Sequence, residues 1–175
     1  EQDNKKFINI GAPAEKTQVM RNLKFDVKKI QADFDLGDGR IIIAGSTHKG
    51  EDEIILNAFC ELKKEFPDIK LLLAPRHLTR ETEVKSLAEK TGLSYGLRSN
   101  NDRFDKNDII ILNTLGELSK IYQICDFAFI GGSFNKTGGH NPLEAVVYEK
   151  PAISGPSIHN FKDIYWLLTQ SDAGR

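Results

Sequence analysis

The sequence has little of several features that mark special classes of protein. Among its 175 residues are two cysteines, one methionine and one tryptophan, and the formal net charge is −1. Cys60 and Cys125 lie far apart, so we interpret both as small core residues of a reduced, cytoplasmic protein. A chain so close to neutral has no overall positive field to hold a nucleic acid, and we predict no nucleic-acid partner.

Long apolar runs are also missing. The runs at residues 41–44 and 71–74 are far too short to span a bilayer, and no signal peptide is visible. Hydrophobic residues make up 39% and charged residues 28%, which is typical of a globular protein able to bury a sizeable core. The chain opens on Glu1 and stops directly after a helical pattern, so we expect it to be a piece of a longer protein.

Three well-known site motifs are absent. No Gly-x-x-x-x-Gly-Lys-[Ser/Thr] occurs, which argues against a Walker-type NTPase. The first predicted strand is followed by Gly45-Ser46-Thr47 rather than by Gly-x-Gly-x-x-Gly, which argues against NAD binding. The four histidines show no metal-ligand spacing, so we predict neither a bound metal nor another cofactor.

A regular alternation of apolar runs and helical patterns is present. Six runs are predicted to be strands, several of them apolar throughout and therefore buried on both faces: "RIIIAG" (40–45), "IKLLLA" (69–74), "SYGLRS" (94–99), "DIIIL" (108–112), "DFAFI" (126–130) and "PAIS" (151–154). Helical stripes are predicted at 51–66, 80–91, 115–125, 142–149 and 160–170. This alternation is typical of the α/β class, a Rossmann-like doubly wound parallel sheet with helices on both faces.

The beginning of the chain is less regular. We expect residues 1–9 to end a helix at Gly11, a short strand around Val19 within 17–22, and a charged connector that turns at Gly37-Asp38-Gly39. Residues 1–37 are thus interpreted as an inter-domain connector with the first elements, and residues 38–175 as one Rossmann-like domain.

The loops at the two edges of the predicted sheet differ in composition. All four histidines, together with Arg76 and most hydroxyl and glycine residues near a strand end, follow the carboxyl ends of strands. The opposite edge carries plain turn sequences such as "FPD" (66–68) and "TGL" (91–93). Ligands of open parallel sheets bind outside the carboxyl ends of the strands, so this asymmetry predicts a site there.

The stretch "GGSFNKTGGHNPLEA" (131–145) is the richest part of that edge. Glycines before a helix start let backbone amides approach an anion, with Asn141 as the cap and Pro142 at the first helical position. Arg76 could contact a phosphate and Glu144 two neighbouring hydroxyls, as on a ribose. Each also has an ordinary structural explanation: a cap for Asn141, a solvated loop residue for Arg76, and a favourable charge at a helix start for Glu144.

With these residues assembled, the chain resembles a known family. The segments "RNLKFD" (21–26), "AGSTHKGEDEIIL" (44–56), "LLAPRH" (72–77), "NTLGEL" (113–118), "FIGGSF" (129–134), "GGHNPLEA" (138–145), "GPSIHNFKDI" (155–164) and the terminal "AGR" occur in family order. They resemble the carboxyl-terminal domain of the 3-deoxy-D-manno-octulosonic acid (Kdo) transferases of Gram-negative bacteria. A generic nucleotide-sugar transferase would not share "AGSTHKGE", "PRH" and "GGHNPLEA" together.

The resemblance implies the carboxyl-terminal half of a GT-B glycosyltransferase that binds the donor CMP-Kdo. Kdo would pass to a lipid A precursor in lipopolysaccharide biosynthesis, in an inverting, metal-independent reaction. The acceptor site, the general base and the membrane anchor would lie in an amino-terminal domain that is absent from this chain. The parent enzyme would work at the cytoplasmic face of the inner membrane, and this piece alone would be soluble and inactive, with no catalytic residue of its own.

The resemblance also assigns residues. Pro75 and Arg76 match a nucleotide-contacting pair, and Leu115-Gly116-Glu117 a loop beside the cytosine. Asn141, Pro142, Leu143 and Glu144 match the helix start that holds ribose and phosphate. The residues expected on the phosphate and Kdo side are Ser133, Gly138, Gly139 and His140, with Ser46 and Thr47 as second-tier candidates. Phe134-Asn135-Lys136-Thr137 departs from the more acidic family loop, and the roles of Lys136, His48 and His159 stay open.

Two alternative functions are compatible with the residues alone. One is a GT-B transferase that uses a UDP-sugar, and the other is a stand-alone nucleotide-binding module without chemistry. The number of Kdo residues transferred, the acceptor and the oligomeric state are not determined by the sequence.

Overall fold

A six-stranded parallel sheet forms the centre of the domain, as predicted. A computed structural model describes residues 2–19 and 25–170, and its strand order is β3-β4-β2-β1-β5-β6 with every pair parallel. The strands are β1 (Arg40–Thr47), β2 (Ile69–Pro75), β3 (Tyr95–Leu97), β4 (Ile109–Ile111), β5 (Phe127–Ile130) and β6 (Ala152–Ser154). The helices are α1 (Gln2–Asn9), α2 (Glu51–Glu65), α3 (Glu81–Lys90), α4 (Leu118–Ile121), α5 (Leu143–Val146) and α6 (Lys162–Gln170).

The sheet separates two hydrophobic cores, because successive side chains of a strand point to opposite faces. On one face Ile42 and Leu71 pack with Leu56 and Phe59 of α2. On the other, Ile43 and Leu72 pack with side chains of α4 and α5 and of the loops beside them. Residues on both faces of the central strands are buried, which explains why these strands are apolar throughout.

Helix α4 is shorter than the helix predicted at residues 115–125. It covers Leu118–Ile121 and tightens into a 3₁₀ turn at Tyr122–Ile124. Leu115 lies outside it and is 83% exposed, while Gly116 has a φ of +77°, a left-handed conformation that interrupts the helix and that glycine adopts most readily. The loop before α4 is therefore a turn at the ligand edge of the sheet.

The other helix boundaries are closer to the prediction. Helix α5 begins at Leu143 and gives way to turns by Val147, so it covers only part of 142–149. The predicted helix at 1–9 is confirmed as α1. Residues 17–19 are irregular, so the strand expected around Val19 is not formed there, and the rest of that segment lies outside the described residues. The motif residues 21–24 and 173–175 also lie outside them.

Part of the charged connector is docked on the domain. Leu36 is buried in the core and its carbonyl accepts from the amide of Phe104 at 2.6 Å. The backbone of Ile30 exchanges hydrogen bonds with the Tyr148 hydroxyl, and the carbonyl of Ala32 accepts from the Gln123 side chain. This segment therefore closes the face of the sheet that carries α4 and α5.

The cysteines only partly match their prediction. Cys125 is buried in the core, which raises the pKa of its thiol to about 12, whereas Cys60 is half-buried on α2. Within residues 2–19 and 25–170, every helix is too short or too polar to cross a bilayer.

Candidate functional site

A cavity of about 410 Å³ opens at the carboxyl edge of the sheet, where the chain changes direction. From β1 the chain crosses to β2 on one side, and from β5 to β6 on the other, so the loops after β1 and β5 diverge. The cavity lies at this switch point. It is lined by Ser46, Arg76, Gly116, Leu118, Ser119, Tyr122, Ile130, His140, Asn141, Glu144 and Phe161.

Ser46 reaches the cavity through an irregularity in β1. Gly45 pairs with Ala74 and Thr47 with Pro75, so Ser46 is left without a partner in the register. Its φ is +56°, in a region that residues other than glycine seldom adopt. Strained conformations of this kind concentrate at binding sites, and this one turns the end of β1 toward the opening.

Arg76 supplies the positive charge of the cavity. It is exposed, it directly follows β2, and its amide donates to the Thr47 carbonyl at 2.9 Å. Within the described part of the chain its guanidinium forms no ion pair. The backbone of Arg76 is held at the cavity wall, and the N–H groups of its planar guanidinium are not engaged in an ion pair with any described residue. Such a group is suited to bind a phosphate or a carboxylate.

Glu144 faces the same cavity from the first turn of α5. Burial raises the pKa of its carboxyl, and the nearby Arg76 partly offsets that shift. The side chain of Asn141 accepts from the Leu143 amide at 3.2 Å, as a cap would, but the helix is counted from Leu143 and the cap position falls on Pro142, one residue later than predicted. The cap orients the turn, and Glu144 remains available to a ligand.

Three histidines meet beside Arg76. The Nε2 atoms of His48 and His140 are 2.9 Å apart, their rings are nearly parallel with centroids 5.1 Å apart, and His77 meets His48 edge-on at 5.6 Å. Burial lowers the pKa of both imidazoles, that of His140 to about 4, and neighbouring cationic groups act in the same direction. Among the described residues no group of three or more His, Cys, Asp or Glu side chains has the geometry to hold a metal ion.

The backbone amides of the first glycine pair are already occupied by the protein. The buried carboxylate of Glu51 accepts from the amides of Gly132, Ser133 and Phe134 at 2.7–2.9 Å, and also from that of His48. The amides of Gly139 and His140 donate to the carbonyls of Gly132 and Gly131. This corrects the prediction for Gly139, whose amide, like that of Gly132, is used within the protein, and the loop holds an internal carboxylate.

Ser133 and Thr47 are corrections for the same reason. Ser133 is fully buried, and its hydroxyl donates to the Ile130 carbonyl and accepts from the Gly155 amide. Thr47 is also fully buried, and its hydroxyl donates to Asp52, whose carboxylate is paired with Arg80 at 2.5 Å. Neither hydroxyl is left for a ligand, and both hold the loops that surround the cavity.

The loop Leu115-Gly116-Glu117 is divided between two roles. Glu117 is tied to Arg98 at 3.0 Å and to the hydroxyl of Thr114, which fixes the start of α4. Gly116 lines the cavity. A smaller recess of about 90 Å³ adjoins it, and there Leu115 and Pro75 provide apolar walls next to Arg76.

The remaining predicted residues stand behind the cavity wall. Gly138 and Gly139 form a buried turn with φ of +91° and +78°, and the His159 ring fills the space that a side chain on Gly138 would need. Pro142 is buried and Leu143 is half-buried at the start of α5. Lys136 is exposed on the loop between the glycine pairs.

The sequence interpretation missed several lining residues: Leu118, Ser119, Tyr122, Ile130 and Phe161. Tyr122 is a buried core residue of its helical turn. Its hydroxyl occupies the space beside Gly45 that a side chain at position 45 would need. Ser119 directly follows the motif "NTLGEL", and that proximity was the only available signal.

Comparison with characterised proteins places this architecture among glycosyltransferases. The chain is 40% identical over 182 residues to the 3-deoxy-D-manno-octulosonic acid transferase of Haemophilus influenzae, covering 97% of this chain and 43% of that protein. It is 36% identical over 174 residues to the enzyme of the same name from Aquifex aeolicus, covering 99% and 47%. A bifunctional glycosyltransferase/methyltransferase of Fusobacterium nucleatum is 37% identical over 175 residues, covering 93% and 27%.

A solved structure resembles the fold over most of its length. The C-terminal CMP-Kdo binding domain of WaaA from Acinetobacter baumannii superposes with a TM-score of 0.74 at 28% identity, over 79% of this chain and 73% of that domain. No family model matches the chain. The chain spans less than half the length of the three relatives described above.

Proposed function

Because the chain belongs to the Kdo transferase family and corresponds to its carboxyl-terminal GT-B domain, we propose that it binds CMP-Kdo as the donor-binding half of such an enzyme. The observation that carries the proposal is a single cavity at the switch point of the sheet into which both Arg76 and Glu144 open. A cation suits the phosphate of a nucleotide, and a carboxylate suits the hydroxyls of its ribose.

In this proposal Arg76 contacts the phosphate of CMP. Its guanidinium can donate two parallel hydrogen bonds to phosphate oxygens. As the bond from Kdo to the phosphate breaks, negative charge grows on the departing CMP. A cation already in place stabilises that charge without reorganisation, which is how such groups accelerate transfer.

Glu144 holds the ribose. A carboxylate can accept from two neighbouring hydroxyls, and a half-buried carboxylate gains more from them than an exposed one because water competes less. The recess beside Leu115, Pro75 and Gly116 receives the cytosine, whose faces would lie against apolar walls. Ser133 and Thr47 are left out of the proposed contacts because both side chains are fully buried.

The remainder of the reaction belongs to the part of the enzyme that this chain does not span. We propose that a lipid A precursor binds there, that its hydroxyl is activated there by a carboxylate, and that transfer inverts the sugar without a metal ion. The parent enzyme would act at the cytoplasmic face of the inner membrane, and this chain alone would bind the donor without transferring it.

Calorimetric titration of the chain with CMP, cytidine, UMP and UDP-GlcNAc tests the proposal. We expect CMP to bind best, and cytidine more weakly because it lacks the phosphate. Arg76→Ala should lower the affinity for CMP at least about tenfold, toward that for cytidine, as the loss of hydrogen bonds between charged groups requires. Arg40→Ala is the matched control, since Arg40 is exposed at the opposite edge of the sheet and paired with Asp68.

The alternatives give different results in the same titration. Preference for UMP or UDP-GlcNAc would favour a UDP-sugar transferase and overturn the CMP assignment. A stand-alone module is excluded if the native gene encodes a second Rossmann-like half upstream, and it is favoured if the gene does not.

A further inference from the structure

His48 and His140 form an imidazole pair that the proposed function leaves without a role. The two residues lie 92 positions apart in the sequence, yet their Nε2 atoms are 2.9 Å apart. His140 lines the cavity beside Arg76, and both rings are partly buried. One carboxylate holds both backbones in place: Glu51 accepts from the amide of His48 and from the amide of Gly132, in the loop that carries His140.

The contact between the two nitrogens dictates how many protons the pair can hold. One Nε2 must carry the hydrogen and the other must offer its lone pair. The accepting imidazole then has its hydrogen on Nδ1, and the donating imidazole has a bare Nδ1. One further proton can enter at that bare Nδ1, which turns the donor into an imidazolium and strengthens the shared hydrogen bond. A second further proton would set two N–H groups against each other and break the contact.

The charges around the pair oppose that first proton while the cavity is empty. Glu51 favours protonation, although its carboxylate already accepts hydrogen bonds from four backbone amides. The groups that face the pair from the surrounding elements are Glu51 of α2, Arg76, His77 and Arg80 after β2, and Glu144 of α5 across the cavity. The cationic members and partial burial outweigh the carboxylates, so the pair is neutral at pH 7.

We propose that the His48–His140 pair is a proton-coupled anion-binding element of the cavity, which takes up one proton from solvent when an anionic group of the ligand binds beside Arg76. The inference rests on the proposed function for the location of the ligand. An anion next to Arg76 offsets the positive charge that, together with burial, keeps the pair neutral. Once protonated, the pair carries an N–H on both Nδ1 atoms, whichever imidazole was the donor, so it meets the anion with a positive charge.

The consequence is a pH-dependent affinity of defined sign. Binding that takes up one proton becomes weaker as the pH rises, by up to about tenfold per pH unit between the values at which the empty and the occupied pair titrate. The anion can be a phosphate oxygen or the carboxylate of a sugar acid, since both present the same charge to an imidazolium. A ligand without an anionic group, such as cytidine, leaves the pair neutral and binds with no such dependence.

The test is calorimetry of CMP binding at pH 7.5 in buffers of different ionisation enthalpy, which counts the protons exchanged. At that pH the phosphate of CMP is itself fully ionised, so uptake reports the protein. We expect uptake at pH 7.5 that declines as the pH is raised toward 8.5, a range in which the phosphate stays ionised, and none with cytidine. His48→Gln and His140→Gln should each abolish the uptake, whereas His159→Gln should retain it, because His159 is an exposed histidine of the same edge outside the pair.

The outcomes separate this inference from the proposed function. Failure of CMP to bind the wild-type chain overturns both. Binding of CMP with no proton uptake at pH 7.5 overturns the imidazole pair and leaves the proposed function standing. Should either glutamine variant fail to fold, NMR titration of the imidazole Hε1 signals in the wild-type chain gives the same answer: the pKa of one histidine of the pair must rise when CMP is added. Carboxylate and phosphate are then distinguished by comparing CMP with CMP-Kdo.

Discussion

The carboxylate of Glu51 lies 2.7 Å from the amide nitrogen of Gly132, at the point where a nucleotide phosphate could be expected. The same carboxylate binds the next two amides of the loop, so the anion held by the glycine stretch is part of the protein. Glycine is needed there to let the loop wrap around Glu51. The ligand cavity is instead formed by the side chains that this wrapped loop projects, His140 and Glu144 among them.

Glu51→Gln should destabilise the domain. The glutamine amide brings two donors into a cluster of four backbone donors and removes the negative charge they stabilise, so we expect the free energy of unfolding to fall by about 1–3 kcal/mol. Urea denaturation followed by circular dichroism measures this. Glu53→Gln, an exposed change in the same helical turn, is the control and should have little effect. Equal stability of the two variants would mean that the buried carboxylate does not hold the loop.

Gly131→Ala should disturb the junction between β1 and β5. A Cβ on Gly131 would overlap the backbone of Ser46 and Thr47, which cannot move without shifting the end of β1. We expect a loss of more than about 2 kcal/mol in unfolding free energy, in the range for overpacking at a rigid site, and weaker CMP binding because Ser46 lines the cavity.

Gly50→Ala isolates the other cost of replacing a glycine. Gly50 has a φ of +88°, but no other group lies within 4 Å of the place that an alanine methyl would occupy, so only backbone strain of about 1–2 kcal/mol is expected there. Denaturant unfolding and CMP titration of Gly131→Ala and Gly50→Ala compare the cost of steric overlap with the cost of backbone strain. The interpretation of Gly131 fails if its variant is the more stable of the two or binds CMP normally.

Glu144→Ala should weaken CMP binding by about 1–3 kcal/mol through the lost hydrogen bonds to the ribose. Thermal stability of the empty domain should hardly change, because the Asn141 side chain binds the amide at the start of the helix and Glu144 takes no part in that contact. Removing the two ribose hydroxyls from the ligand gives a second comparison. The Glu144→Ala variant should bind CMP and 2′,3′-dideoxy-CMP equally, whereas the wild-type chain should prefer CMP. A loss of stability with unchanged affinity would assign Glu144 to the helix start instead.

Stability of the empty domain should fall as the pH drops from 6.5 toward 4, partly because of His140. Its pKa is lowered to about 4 in the fold against 6.5 in a free chain, so the unfolded state binds more protons in that window and is favoured by acid. His140→Gln should reduce this pH dependence, and the exposed His159→Gln should leave it unchanged. Urea unfolding of the wild-type chain and of His140→Gln at pH 7 and pH 4.5 measures this effect. If His140 titrated normally in the fold, both proteins would lose the same unfolding free energy between these pH values.

The sequence by itself determined the sheet and the edge that carries the site. Short apolar runs such as 41–44 and 71–74 predict strands buried on both faces, and the alternation with helical stripes predicts that these strands are parallel. Parallel strands all end at one edge, so Arg76, His140 and Glu144 had to share it. These conclusions depend on local pattern and on chain direction, which a linear sequence contains.

The tertiary structure decided which groups at that edge face a ligand. Glu51 looked like an ordinary first-turn residue of α2, and only the approach of a loop 81 residues later made it the internal anion that uses the glycine amides. The His48–His140 contact and the left-handed Ser46 arise in the same way, from the register between β1 and its neighbours. Contacts across such separations are set by packing of the whole sheet, so no local pattern in the sequence could assign them.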